Sequence, residues 1–145
     1  MRMSPSKKLF EQFLSNLKII SKQKRFDFDL KLIKRNLRLY RFNDHKKRYF
    51  LFIHESLSSF WEISPSWQEI SHLISSENTS WAVILLQKPC GENCPLGFLI
   101  SGSDFIKMKS GLGINRMGRI KIHKKDLSVK DQFSDWDSFF QLLNT

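Results

Sequence analysis

Trp81-Ala82-Val83-Ile84-Leu85-Leu86 is the longest unbroken apolar run in the chain. At six residues it is far short of the roughly 18 to 20 needed to cross a bilayer as a helix. A strand with one wet face alternates polar and apolar residues, and this run does not, so it predicts a central strand covered on both sides. A turn-rich stretch, Lys88–Pro95, and a second apolar segment, Gly97-Phe98-Leu99-Ile100, follow it. The remaining elements are expected to pack around this strand.

Upstream, Ser4-Pro5 suits a helix start, with Ser as cap and Pro at the first helical position. Leu9, Phe10, Phe13, Leu14, Leu17 and Ile20 then recur at helical spacing, with Lys7, Lys8, Lys18 and Lys22 between them. That stripe predicts a helix packed on a sheet. From Phe26 the period changes to two. Phe26, Phe28, Leu30 and Leu32 alternate with polar residues, as do Leu37–Phe42 and the segment Arg48–Glu55, and Phe60–Ile63 forms a short fourth strand. Residues 26–63 therefore read as an antiparallel meander. Ser64-Pro65 predicts a second helix through Trp67, Ile70, Leu73 and Ile74. After the central strand, Ser101–Asp104 reads as the cap of a short helix, Gly118–His123 as a last strand, Asp126–Gln132 as a loop, and Ser134-Asp135 as the cap of a C-terminal helix. The whole is a single α+β domain over 1–145, with an N-terminal helix, an antiparallel meander, a central buried strand and helices packed on the sheet.

With 145 residues, 41% of them hydrophobic, and with thirteen Phe and four Trp, the chain can build a substantial core. No apolar run has transmembrane length and no secretory signal is evident, so no membrane span is expected. Two cysteines do not make a disulfide scaffold, and the cytoplasm is the expected compartment.

The net charge of +10 is uneven. Residues 1–50 carry +11, 51–106 carry −5, 107–130 carry +7, and 131–145 carry −3. Two basic blocks around an acidic middle point to a polyanion-binding patch. Within 22–48 the cations interleave with aromatics. Arg35, Arg38, Arg41, Lys46, Lys47 and Arg48 are candidate phosphate contacts, with Tyr40 as a stacking group. Arg119, Lys121, Lys124 and Lys125 form a second candidate contact. This pattern predicts a basic protein that binds DNA or RNA and has no catalysis or cofactor of its own. An acidic protein partner is an alternative for the same face.

Motifs for chemistry are sparse. Gly111-Leu112-Gly113 lacks the third glycine of a dinucleotide loop, and no phosphate-loop or nucleophile-elbow motif occurs. In Cys90-Gly91-Glu92-Asn93-Cys94, a structural zinc site would need about two further Cys or His ligands nearby. His45, His54, His72 and His123 are scattered instead. Pro89, Gly91 and Pro95 argue for a turn carrying two free thiols, and a disulfide across it would depend on oxidation. The order of elements is loosely similar to that of restriction-endonuclease-like nucleases, a likeness of architecture alone. It implies a second alternative, Mg²⁺-dependent cleavage using Asp44, Glu55 and Glu62. The lysine of the Glu-x-Lys pattern such nucleases carry is replaced here by Ser64.

Overall fold

The computed structural model describes residues 5–23, 29–34, 39–43, 48–58, 60–63, 79–90, 94–109, 111–112 and 118–143. Helix α1 spans Pro5–Gln23. Strands β1 (Asp29–Lys34), β2 (Leu39–Asn43) and β3 (Arg48–Glu55) follow, then β4 (Phe60–Ile63), β5 (Thr79–Cys90) and β6 (Cys94–Ser101). After these come α2 (Gly102–Lys109), β7 (Ile120–His123), two 3₁₀ turns at Lys124–Asp126 and Val129–Asp131, β8 (Gln132–Phe133) and α3 (Trp136–Leu143). The expected helix from Ser64 lies outside the described residues.

The expected central strand is central. Six strands form one sheet in the order β1-β2-β3-β5-β6-β8, with β5 parallel to β3 and antiparallel to β6. Ala82 through Leu86 are all buried, and their alternation divides them between two cores. Ala82, Ile84 and Leu86 join one cluster, Val83 and Leu85 the other. An unbroken apolar run is the pattern that a strand covered on both faces requires.

The first cluster lies under α1 and α3. The α1 stripe buries Leu9, Phe10, Phe13, Leu14 and Leu17, and α3 buries Trp136, Phe139, Phe140 and Leu143. The rings interlock, with Phe139 5.1 Å from Phe133, 5.5 Å from Trp136 and 5.7 Å from Phe13 between centroids, each near edge-to-face. Helix α3 begins with a reciprocal cap: Ser138 N–H donates to Asp135 Oδ1 at 2.7 Å, and Asp135 N–H donates back to Ser138 Oγ at 3.3 Å. The expected cap of α2 is also present, with Asp104 N–H donating to Ser101 Oγ at 3.2 Å.

The second cluster lies on the other face, under α2 and a two-stranded ribbon of β4 and β7. Here the expected meander needs correction. Strands β1, β2 and β3 do form an antiparallel meander, but β4 leaves the sheet and pairs with β7, about sixty residues on. Trp61 explains the departure. Its indole N–H donates to Leu86 O at 2.9 Å, the carbonyl that also accepts Ser56 N–H at 3.0 Å. A Trp buried on the face of the sheet meets this bond only from a second layer. Strand β8 takes Gln132, the last residue of the expected loop Asp126–Gln132, together with Phe133; two residues are too short for any period to show.

Two glycines are fixed by close approach. A Cβ on Gly97 would lie 2.7 Å from both Leu85 O and Phe133 Cζ, and one on Gly102 would clash with the Trp81 indole. Finally, β5 and β6 run further than expected, so that Pro89 opposes Pro95 and Cys90 opposes Cys94 across the hairpin.

Candidate nucleic-acid interface

The ribbon separates its residues by period two. Trp61, Ile63, Ile120 and Ile122 face the core and are buried, while Phe60, Glu62, Lys121 and His123 face outward. Register sets Phe60 opposite His123 and Glu62 opposite Lys121. The side chains then shift diagonally. Glu62 accepts from Arg119 at 3.3 Å, whereas Lys121 places its Nζ 4.0 Å from the centre of the Phe60 ring. The His123 ring lies 5.8 Å from that ring, tilted against it. The Arg119–Glu62 pair is 45% and 38% exposed, so water screens it and it contributes about 0–1 kcal/mol. The Lys121–Phe60 contact contributes about 0.5–1 kcal/mol at an exposed site. Neither is strong enough to hold its cation against a phosphate.

Past β7 the chain turns through Lys124 and Lys125, both exposed. Asp126 Oδ2 accepts the His123 N–H at 2.9 Å, which closes this turn. The ribbon and the turn after it thus carry exposed Arg119, Lys121, Lys124 and Lys125 together with Glu62 and Asp126, and the half-buried Phe60 ring lies under Lys121.

Of the meander candidates, Arg35, Arg38, Lys46 and Lys47 lie outside the described residues, as does Asp44. Three others have backbone positions. Arg41 pairs with Phe50, and Lys31 with Arg41, so both stand in a row of the ribbon-side face. Arg48, two residues before Phe50, stands in the next row of that face. Tyr40 stands instead in the row of Leu51 and Ala82, which belong to the cluster under the helices. The sheet register therefore brings the Arg41 and Arg48 positions to the same side as the ribbon and sets Tyr40 apart from them.

Glu55 and Glu62 are not brought together. Glu55 pairs in register with Leu86 on the helix-side face, while Glu62 is on the ribbon's outer surface, the far side of the second layer. Among the described residues, no group of three or more His, Cys, Asp or Glu side chains is placed to hold a metal ion. No described helix is long and apolar enough to cross a membrane.

Beside the ribbon, an open groove of about 310 Å³ separates α2 from the 3₁₀ turns. Ile100, Met108 and Leu127 line it, with Asp104, Asp131, Lys107 and Lys130 among its polar residues. Burial pushes the Asp131 carboxyl above the usual carboxylate range; Lys130 opposes that rise and Asp104 adds to it.

Sequence reasoning found the four cations of this face but missed Phe60, Glu62 and His123 as their neighbours. The signal that would have found them is the shared period of Phe60–Ile63 and Ile120–His123, which marks two strands wet on one side. Compared with known proteins, the chain matches no family model and no curated sequence.

Proposed function

We propose that this protein binds nucleic acid through its phosphates, without catalysis of its own, using the outer face of the β4–β7 ribbon and the basic positions of the adjoining meander. The observation that carries the reading is the ribbon and the turn after it: exposed Arg119, Lys121, Lys124 and Lys125, with Lys121 over the half-buried Phe60 ring, on the side of the sheet where the register also sets Arg41 and Arg48. Each exposed Lys or Arg meets a phosphate at little desolvation cost and releases condensed counterions. Phe60 adds a surface on which an unpaired base can stack once Lys121 swings to a phosphate. The compartment proposed with this reading is the cytoplasm.

The test is fluorescence anisotropy with labelled single-stranded and duplex oligonucleotides over a salt series. Neutralisation of about 4 to 6 phosphates gives a slope of log K against log salt of roughly −3.5 to −5.5 on duplex DNA. Lys124→Ala/Lys125→Ala is expected to flatten that slope by up to about 2. No binding to DNA or RNA at low salt overturns the reading, and retention of an acidic protein but not of nucleic acid moves it to that partner.

A further inference from the structure

The cysteines are the feature the binding reading leaves unused. They are also the two residues that close the β5–β6 hairpin, directly opposite each other in register, with Pro89 and Pro95 opposed one step further in. Antiparallel pairs alternate between those that exchange two hydrogen bonds and those that exchange none. Neither proline has an N–H, so the Pro89–Pro95 pair belongs to the second kind. The next pair, Cys90–Cys94, falls in the first kind, where Cα atoms stand about 5.5 Å apart. Disulfides span Cα separations of roughly 4.4–6.8 Å, so the two Cα positions stand within the range that a disulfide spans.

We propose that Cys90 and Cys94 form a reversible cross-strand disulfide that fastens the tip of the central hairpin under oxidising conditions. The oxidant is a small disulfide or a hydroperoxide. With oxidised glutathione, one thiolate attacks a glutathione sulfur and expels one glutathione thiolate, which takes up a proton. The second cysteine thiolate then attacks the mixed disulfide and expels the other glutathione. Two protein thiols are oxidised, one glutathione disulfide is reduced to two glutathiones, and two protons pass from the cysteines to them. Opposed Cβ atoms in a sheet stand about 4.5–5.5 Å apart, at the wide end in a hydrogen-bonded pair such as this one, against roughly 3.5–4.5 Å across a disulfide. Closure therefore draws the strands together and leaves a bond that glutathione can reopen.

The test equilibrates the full chain in buffers of varied reduced and oxidised glutathione, quenches with acid, and measures free thiols and intact mass. The expected result is a single two-electron transition, from two thiols per chain to none. The oxidised form is expected to be lighter by two hydrogens, monomeric on a non-reducing gel, and reversed by excess reduced glutathione. Cys90→Ser under the same conditions should carry one glutathione, because the intramolecular step is lost. Two thiols surviving in oxidised glutathione, glutathione adducts accumulating on the unaltered protein, or disulfide-linked dimers would each overturn the proposal. A bond that persists in excess reduced glutathione would overturn its reversibility.

Discussion

On one face of the six-stranded sheet, α1 and α3 meet over a block of interlocked rings; on the other, a two-stranded ribbon and one short helix cover a smaller core in which aromatics meet in pairs, Trp61 with Phe98 and Trp81 with Phe105. A helix with a broad apolar stripe gives its inner side wholly to packing. A ribbon gives every second residue to packing and every second residue to water. Lys121 of β7 thus lies outward on a ribbon anchored by Trp61, whereas the described α1 lysines, Lys8, Lys18 and Lys22, rim a helix whose position depends on the rings beneath it. The helix side is expected to carry more of the stability and the ribbon side more of the binding.

The sharpest test of that division pairs Phe139→Ala with Trp61→Phe. Phe139 is fully buried and touches rings from α1, β8 and its own helix, so truncation leaves a cavity that no single neighbour can fill. The expected loss is about 3–5 kcal/mol. Trp61→Phe keeps a ring but removes the N–H to Leu86 O, which retains its bond from Ser56. With no orphaned acceptor the loss is about 1–2 kcal/mol. Urea melts of both variants check the order; a Trp61→Phe loss equal to that of Phe139→Ala would mean that the ribbon is as integral to stability as the helices.

The same contrast explains what could be read from sequence. α1, β5 and α3 were legible because each is longer than one period and consistently apolar on the sides it buries. The identity of the β4 partner was not, because a four-residue strand looks the same in a meander as in a ribbon; the pairing with β7 and the contact between Trp61 and Leu86 distinguish them. For the candidate site, charge clustering identified Arg119, Lys121, Lys124 and Lys125. Periodicity assigned Arg41 and Tyr40 to opposite sides of β2, but it could not say which side faced α1 and which the ribbon. That assignment needs register, since Arg41 pairs with Phe50 and Tyr40 with Leu51.

If the ribbon face binds while the helices stabilise, the two properties should separate in Arg119→Ala/Lys121→Ala. Both side chains are exposed and their contacts weak, so unfolding free energy should move by no more than about 0.5–1 kcal/mol. The salt slope of nucleic-acid binding should flatten by up to about 2 for two lost phosphate contacts. Lys18→Ala/Lys22→Ala on α1 serves as the control and should leave the slope unchanged. Equal flattening by both double variants would place the polyanion on both sides of the molecule.

The smallest expected effect turns on two aspartates, one on each side, whose carboxyls are displaced in opposite directions. Asp135 caps α3, and the backbone N–H of Ser138 holds its carboxyl below the ordinary range, with the Ser138 hydroxyl adding to the shift. A depressed carboxyl stabilises the fold above its unfolded-state value and loses that stabilisation as pH falls through the folded one. Asp135→Ala should therefore cost about 1 kcal/mol at neutral pH, the usual cost of a lost N-cap, and the cost should shrink in acid. Asp131 lines the groove beside α2, where burial raises its carboxyl. A raised carboxyl has the reverse sign: the native state favours the proton, so ionisation weakens the fold above the folded-state value and protonation relieves it as pH falls. Asp131→Asn should then be neutral to slightly stabilising at pH 7, by less than about 0.5 kcal/mol, and should lose that gain in acid. Urea midpoints for both variants against the unaltered chain, measured from pH 7 down through the carboxylate range, should converge on it from opposite sides. Convergence from the same side would mean that the groove does not desolvate Asp131.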